Sequence, residues 1–367
     1  MKKDSIQLSD HFTFRRLLRF TMPSIAMMIF TSIYGVEDGI FVSNFAGKTA
    51  FAAVNLIMPY LMVFGTLGFM IGTGGTALIS MTLGMGDRKK ANELFSLLTY
   101  VTILCGIVFT VLSIVFLRPA AILMGATGQM LEDCVTYGII VQSVLTAYIL
   151  QFAFQSFCVA AEKPNLALWM TVAAGVCNIV LDALFVAAFR WGIVGAAVAT
   201  AASQVVGGVC PLIYFSRPNS SLLRLGRTRW MGRALLQSCA NGSSEFMSNI
   251  SMNLVGMLYN IQLLKHAGEN GVAAYGVMMY VSMIFAAAFI GYSMGTAPVV
   301  SFHFGAQNHT ELQSLLRKSL RLIGLFSLVM LAAAQLPELE LELELEQREL
   351  ELEQRELELQ EQQLEPS

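Results

Sequence analysis

The sequence predicts an all-α polytopic membrane protein, and three observations support that fold class. The chain of 367 residues is 55% hydrophobic and only 13% charged, whereas a soluble domain has about 25% charged residues. Its apolar residues form runs of about 20 residues or more, the length that an α-helix needs to cross a bilayer. Lys and Arg concentrate in every second loop between these runs, as expected for a chain that crosses the membrane repeatedly.

Each long apolar run is interpreted as one membrane span, and we count about nine of them. The Gly-rich stretch GFMIGTGGT and Pro23 fall inside spans, where neighbouring helices or water can satisfy the freed backbone groups. The predicted spans are 17–43, 51–83, 94–117, 133–158, 166–189, 192–215, 234–263, 271–303 and 319–336.

The loop charges predict that the N-terminus lies in the cytoplasm. With that orientation, the inner segments hold 17 Lys and Arg residues and the outer segments hold four, which are Lys48, Arg118, Arg190 and Lys265. The alternation also supports the span count, because one missed helix would scramble it. The basic first 20 residues have no small-residue cleavage site after them, so we expect a cytoplasmic lead-in rather than a removed signal peptide.

A weak internal repeat relates two parts of the chain by a shift of 221 residues. The identical pairs are Ala52/Ala273, Ala53/Ala274, Met58/Met279, Met62/Met283, Phe64/Phe285, Gly74/Gly295, Ser80/Ser301 and Gly84/Gly305. Both copies cross from outside to inside and end in a polar loop, GDRKKANEL or GAQNHTEL, so the repeat is parallel, as in two-lobed transporters. We expect a six-helix lobe at 1–216 and an incomplete second lobe of about three helices at 217–336.

The last segment, 337–367, is predicted to be an acidic low-complexity tail. It contains 12 Glu and two Arg, whereas the rest of the chain carries 21 Lys and Arg against 13 Asp and Glu. Its Leu residues are spaced 2 and 5 apart rather than 3 and 4, so they form no coiled-coil seam, and its dense like charge favours a solvated tail or frayed helix. We expect a tail with no role in transport, of the kind that a shifted or chimeric reading frame replacing the last three helices would produce; an interaction tail is the alternative.

Few ionisable residues fall inside the predicted spans, and they are the candidate functional residues. Glu37 and Asp38 lie in the first span, Asp182 in the fifth and Glu245 in the seventh. An Asp at the bilayer centre costs at least about 2.5–3.5 kcal/mol, and ionisable groups at such positions usually mark an ion or substrate pathway.

Asn178 and Asp182 are spaced i and i+4, so they share one face of the fifth span. Thr200 lies in the middle of the sixth span, and both Asp38 and Asp182 fall in the outer half of the membrane. Two acids, an amide and a hydroxyl could bind a monovalent cation or a proton, since burial and like-charge proximity both raise a carboxyl pKa. A structural hydrogen-bond cluster between helices is the alternative.

Other classes of site are not indicated. The six Cys and four His residues show no metal-ligand spacing; the cysteines fit small apolar packing positions, and we expect His303 and His309 to be solvated in an inner loop. No span contains a metal triad, a nucleophile–base pair or a phosphate loop, so we predict neither an enzyme nor a bound cofactor or transition metal.

Several motifs together resemble the multidrug and toxic compound extrusion (MATE) transporters of the bacterial branch, over about residues 11–336. They are Pro23 and the acid in YGVEDGIFVSNFAG, the loop GMGDRKKANELF, the stretch NIVLDALF, Thr200 in GIVGAAVATAASQ, Glu245, and the loop FGAQNHTEL. The resemblance implies a two-lobe transporter with parallel six-helix repeats, here truncated after about nine of twelve helices.

The resemblance also implies roles for individual residues. It assigns cation or proton coupling to Asp38, Asn178, Asp182 and Thr200, and a helix bend to Pro23. Glu245 is similar to a second-lobe acid of some sodium-coupled members. Three features depart from the family pattern: the last three helices are missing, Glu37 adds a possible accessory acid, and the loop CVAAEKPN lacks an Arg and a Gly that are frequent there.

The expected function is therefore a proton- or sodium-coupled antiporter that exports amphipathic or cationic small molecules. We expect a monomer in the bacterial cytoplasmic membrane, with no nucleic-acid partner. A flippase for lipid-linked sugars is one alternative, but it would favour a cationic cavity, and here the charges inside the spans are acids. A truncated fragment that does not transport is the other alternative.

Overall fold

The computed structural model describes the backbone of residues 6–332 and 335, and the side chains there except at 34–40, 43, 46, 48 and most positions from 253 to 284. The predicted tail at 337–367 lies outside the described residues. Within them, every regular element is helical, as the sequence predicts. The helices are α1 (Phe14–Phe41), α2 (Lys48–Gly84), α3 (Arg88–Leu123), α4 (Gly128–Ser143), α5 (Leu145–Ala160), α6 (Pro164–Asp182), α7 (Gly192–Ser216) and α8 (Gly232–Gly305), followed by helical residues 309–332.

Most predicted spans coincide with long apolar helices. Five described segments are long and apolar enough to cross a bilayer: Thr49–Gly84, Arg88–Leu123, Pro164–Ala188, Gly192–Ser216 and Phe285–Gly305. The pair α4 and α5 makes a sixth if it counts as one span. Helical residues also occupy the predicted spans at 17–43, 234–263 and most of 319–336.

The predicted span at 133–158 is not one straight helix. It consists of α4 and α5, which meet at an angle of 56°. Val144 lies between them with φ −108° and ψ 16°, and the Ser143 hydroxyl donates to the Ile140 carbonyl oxygen at 2.6 Å. A hydroxyl that bonds back to the preceding turn competes with the helix backbone and favours such a bend.

The two spans predicted at 234–263 and 271–303 lie in one helical run, α8, without the expected loop between them. The connecting residues KHAGENG contain no Pro, and their Lys, Ala and Glu favour helix. The run is not a straight rod, however. Gly242 lies against Met70 and Gly305 against Met81, both on α2. A straight helix would separate the two glycines by about 95 Å and the two methionines by only about 17 Å, so α8 folds back between the two contacts.

The predicted repeat appears directly in the packing of α2 against the end of α8. A Cβ added to Gly84 would overlap the Phe302 carbonyl oxygen, and a Cβ added to Gly305 would overlap the Met81 carbonyl oxygen. Both pairs are related by the 221-residue shift, so the two copies contact each other through equivalent residues. Because α2 and α8 also end together here, the two copies are parallel, as predicted.

The loops after these two helices repeat as well. Gly86 has φ +84° and its counterpart Gln307 has φ +55°. One residue later, the Asp87 side chain accepts from the Lys90 backbone N–H at 2.9 Å, and the Asn308 side chain accepts from the Glu311 N–H at 3.1 Å. Each loop thus caps the following helix with a short polar side chain.

Glycines bring the first six spans close together. Gly68 and Gly72 of α2 lie against the backbone of α5 at Ile149 and Ala153, and Gly208 of α7 lies against the Ala147 carbonyl. Small residues at membrane helix contacts let the backbones approach. The interior is then filled by large apolar side chains, including Phe95, Phe154, Phe157 and Phe215.

The chain divides into two compact units, Met1–Gln313 and Ser314–Ser367. All the contacts described above lie in the first unit. The second unit is described at 314–332 and 335, where it is helical. The lobe boundary expected at 216/217 stays a prediction.

Candidate functional site

The fifth predicted span forms α6, and one face of this helix is buried along its whole length. The buried residues follow helical spacing: Pro164, Ala167, Thr171, Ala174, Gly175, Asn178 and Asp182. Asn178 is 3% exposed and Asp182 is 1% exposed. The structure therefore places the predicted amide and carboxylate on one buried face, one helical turn apart.

Asp182 lies where α6 changes from α-helical to π-helical geometry. The π-helical segment Ala183–Ala188 follows it, and a second π-helical segment, Val42–Ala46, follows α1. The two segments contact each other. Single π-helical turns within α-helices are frequent at functional sites, and here both occur beside the helices that carry the predicted acids.

Thr200 and Asp182 lie on either side of the turn between α6 and α7. Asp182 precedes Arg190 by eight residues and Thr200 follows Gly192 by eight, so the two are equally far from the turn in sequence. The two helices pack closely, since a Cβ at Gly195 would come within 3.0 Å of the Phe185 carbonyl. Thr200 is partly buried on α7.

The predicted acids of the first span lie on α1, which packs against α6. The side chains of Glu37 and Asp38 lie outside the described residues. The convergence of Asp38 with Asp182 therefore stays a prediction, supported by the contact between their two helices.

Pro23 and Glu245 lie near the helix crossings that join the two copies. Pro23 is buried inside α1, beside Ser24, whose carbonyl oxygen lies against Gly291 of α8. Because Pro has no N–H, it removes one hydrogen bond from α1 at this crossing. Glu245 lies on α8 one turn after Gly242, and its side chain is exposed.

Sequence reasoning missed a polar cluster at the helix ends that are predicted to face the cytoplasm. The Glu162 carboxylate accepts from the Leu8 N–H at 2.6 Å, and the Glu311 carboxylate accepts from the Phe12 N–H at 2.9 Å. The other Glu311 oxygen lies 2.6 Å from His11 Nδ1. These two acids fix the segment that precedes α1, which we call the N-terminal strap (residues 7–12).

The environment of Glu162 favours its protonated form. Burial is the largest cause and raises the pKa of this carboxyl; the Leu8 N–H lowers it, the charge of Asp10 raises it, and Lys163 and Arg88 lower it. Leu8 and Phe12 are four residues apart and both fully buried. This apolar spacing in the sequence could have predicted that the strap packs against the helices.

The expectation of a solvated His303 is wrong, because its side chain is 3% exposed. The apolar face of the strap covers it: the Phe12 ring contacts the His303 ring edge to face, with centroids 6.4 Å apart. His309 is exposed, as expected. Among the described residues, no group of three His, Cys, Asp or Glu side chains could hold a metal ion.

Comparison with known proteins gives consistent results. The family model described as MatE matches residues 23–184 and 246–338, two stretches whose starts are separated by nearly the repeat length. The multidrug export protein MepA of Staphylococcus haemolyticus is 25% identical over 306 residues, covering 83% of this chain and 67% of that protein. MepA of Staphylococcus saprophyticus is 26% identical, covering 79% and 64%, and MepA of Staphylococcus aureus is 24% identical, covering 87% and 71%. The chain thus spans about two thirds of these relatives.

Solved structures share the fold. An outward-facing multidrug resistance MATE family transporter of the MOP superfamily has a TM-score of 0.84 at 22% identity, covering 92% of this chain and 75% of that chain. A MOP superfamily transporter from Pyrococcus furiosus has a TM-score of 0.82 at 22% identity, covering 90% and 74%. For the latter transporter, a reverse polarity of the binding pocket has been taken to suggest a different function.

Proposed function

The chain belongs to the MATE family of efflux transporters, and we propose that it exports amphipathic or cationic drugs in exchange for inward-moving protons or sodium ions. Its curated relatives are named multidrug export proteins, which supports the choice of substrate class. We place the chain in the bacterial cytoplasmic membrane as a multi-pass monomer with a cytoplasmic N-terminus, because the 17 inner and four outer basic residues favour that orientation.

The buried carboxylate of Asp182 is the single observation that carries the coupling proposal. It lies beside Asn178 on a buried face of α6, which packs against both α1 and α7. An ionised carboxylate in this position is costly unless a proton or a cation neutralises it. We assign Asp38 and Thr200 to the same site, since their helices, α1 and α7, both pack against α6.

Exchange follows from the change of charge at this site. When a proton or cation binds Asp182 and Asp38, the buried charge is neutralised and α1 can pack differently. We expect α1 to bend at Pro23 in this change. The altered packing lowers the affinity for the drug, which leaves as the ion enters. We propose Glu245 as an acid of the second copy and Glu37 as an accessory acid on α1.

The test is dye efflux from proteoliposomes that contain this chain, with the proton and sodium gradients imposed separately. Efflux under one gradient alone identifies the coupling ion. Asp182→Asn should reduce coupled efflux at least tenfold. Glu132→Gln, which removes an exposed acid paired with Arg118, is the matched control and should leave efflux unchanged. Full coupled efflux in Asp182→Asn would overturn the site, and no efflux under either gradient would overturn the export.

A further inference from the structure

The segment between α7 and α8, residues 217–233, is basic and contains no acid; we call it the basic loop. Its five Arg residues are Arg217, Arg224, Arg227, Arg229 and Arg233. All five are exposed, and within the part of the chain that the structure describes none of them forms a salt bridge. The loop therefore presents positive charges to which these residues of the protein supply no counter-ion.

Leucines anchor the basic loop in the protein interior. Leu223 is fully buried and belongs to the main apolar cluster, and Leu222 and Leu225 pack against the same cluster. The Leu225 backbone N–H donates to the Phe215 carbonyl oxygen of α7 at 3.0 Å. Arg224, between two of these leucines, stays exposed. The loop is thus held from below while its arginines remain at the surface.

Hydrogen bonds to α3 fix the part of the loop that carries the central arginines. The Gly226 N–H donates to the Ser96 hydroxyl at 3.0 Å, and the Thr228 hydroxyl donates to the Glu93 carbonyl oxygen at 2.7 Å. Arg227 lies between these two attachment points. Because the backbone on both sides of it is already ordered, less conformational entropy is lost when its guanidinium binds a ligand.

The start of α3 adds further positive charge beside the loop. Arg88, Lys89 and Lys90 are exposed there, and the acids of the same stretch are Asp87 and Glu93. Asp87 already accepts from the Lys90 backbone N–H at 2.9 Å. The basic loop and residues 87–93 together hold eight basic residues and two acids. The excess of positive charge suits a ligand with several negative groups.

An exposed aromatic side chain lies at the end of the same loop. Trp230 is 76% exposed and Leu236, near the start of α8, is 74% exposed. Large apolar groups are costly to expose to water. The predicted membrane span of α8 begins at residue 234, so these side chains lie at its edge, and Trp is enriched at the headgroup level of bilayers. This observation is independent of the charges and points to the same surroundings.

We propose that the basic loop binds the headgroups of anionic phospholipids, with Arg227 and Arg229 donating to the phosphate and Trp230 lying beside the adjoining acyl chains. A guanidinium can bind a phosphate through two parallel hydrogen bonds. Clusters of about four to eight Lys and Arg directly next to a membrane span attract anionic lipids. Binding requires only the bilayer, so the inference does not rest on the proposed transport.

The fluorescence of Trp230 tests this site in the full chain. The chain has three Trp residues, so Trp169→Phe with Trp191→Phe leaves Trp230 as the reporter. In mixed bilayers, phosphatidylglycerol or phosphatidylcholine with brominated acyl chains quenches a Trp that it contacts. We expect Trp230 to select phosphatidylglycerol over phosphatidylcholine about tenfold, because each nearby Arg strengthens the attraction of anionic lipid.

Two double variants show whether the selectivity belongs to the loop. Arg227→Gln with Arg229→Gln should reduce it to about one. Arg15→Gln with Arg19→Gln, which removes the same charge from exposed positions of α1, should leave it near tenfold. Equal losses in the two double variants would mean that only the general charge of this membrane face attracts lipid, and would overturn the site.

The protein with the native basic loop provides two further tests that need no change of its arginines. Salt at about 1 M shortens the screening length to about 3 Å and should remove the selectivity at Trp230; selectivity that persists would overturn a role for charge. Replacing chloride by inorganic phosphate at equal ionic strength should change nothing. A loss of selectivity in phosphate alone would show that the loop binds free phosphate, and would overturn the lipid site.

Discussion

The crossing of α2 with the start of α8 and the crossing of α8 with α1 are related by the same 221-residue shift. In the first, Gly74 lies against the Ser238 carbonyl; in the second, its counterpart Gly295 lies against Thr21. The polar residues beside these crossings do not repeat. Ser24 of α1 is 1% exposed, whereas its counterpart on α8 is the exposed Glu245.

This difference shows which positions the duplication constrains. Glycine is kept in both copies at two backbone contacts, Gly74 with Gly295 and Gly84 with Gly305, whereas Gly242 and Gly291 have Thr21 and Met70 as their counterparts. A polar position away from the contact costs little to change, provided that its new side chain reaches water or a partner.

The largest loss of stability is expected from substitutions that disrupt the repeated crossing of α2 with α8. Gly84→Val and Gly305→Val each push a side chain into a carbonyl of the other copy, so each should destabilise the chain by about 3 kcal/mol, the upper end of the usual range for overpacking. Thermal unfolding in detergent micelles measures the loss. Gly226→Val, at a site with no atom within 4 Å of the added Cβ, is the control. Tolerance at one of the two crossing positions would show that the copies do not contact symmetrically.

The sequence alone pairs Gly84 with Gly305 as equivalent positions of the repeat, and it predicts the shared face of Asn178 and Asp182 from helical periodicity, but it does not predict that the two glycines meet at a crossing. It does not predict the N-terminal strap. The bond from the Phe12 N–H to Glu311 joins residues 299 positions apart, and no local pattern encodes such a contact. The burial of His303 follows from the same contact, and the break at Val144 depends on one hydroxyl orientation. The strap and the burial of His303 are set by tertiary packing, whereas the break at Val144 accompanies a local hydroxyl bond.

The next largest loss of stability is expected from a comparison of two equivalent positions, each at the start of a helix. Glu311 is 5% exposed and accepts from the strap, whereas its counterpart Lys90 is exposed. Glu311→Ala leaves the buried Phe12 N–H without its acceptor, which should cost about 2 kcal/mol. Lys90→Ala should change the unfolding temperature very little. Equal effects at both positions would mean that the strap contributes nothing to stability.

A smaller and symmetric effect is expected at the two helix caps. Asp87 and Asn308 accept from the N–H three residues later at 2.9 and 3.1 Å, and replacing such a cap by Ala costs about 1 kcal/mol. Asp87→Ala and Asn308→Ala should therefore lower the free energy of unfolding by similar amounts. Their sum in the double variant is a further check, because the caps belong to different loops. A clear loss of stability at only one of the two positions would show that the repeat extends over the helices but not over the loops that cap them.

The smallest effect concerns Glu162, which holds the strap from the first copy while Glu311 holds it from the second. Burial raises the pKa of Glu162 above its ordinary value of 4.5, so the folded state retains a proton that the unfolded state releases. This contribution to stability is complete below the ordinary pKa and disappears as the pH rises through the raised pKa.

Glu162→Gln keeps an acceptor for the Leu8 N–H but cannot titrate. Unfolding temperatures of the two proteins should agree at pH 4 and diverge as the pH rises, with the Gln variant the more stable at pH 8. Glu132→Gln, at an exposed acid, should show no such divergence. If the Glu162 protein gained stability relative to the Gln variant on going to pH 8, the Leu8 bond and the nearby Lys163 and Arg88 would outweigh burial. The strap would then be held by the charge of Glu162.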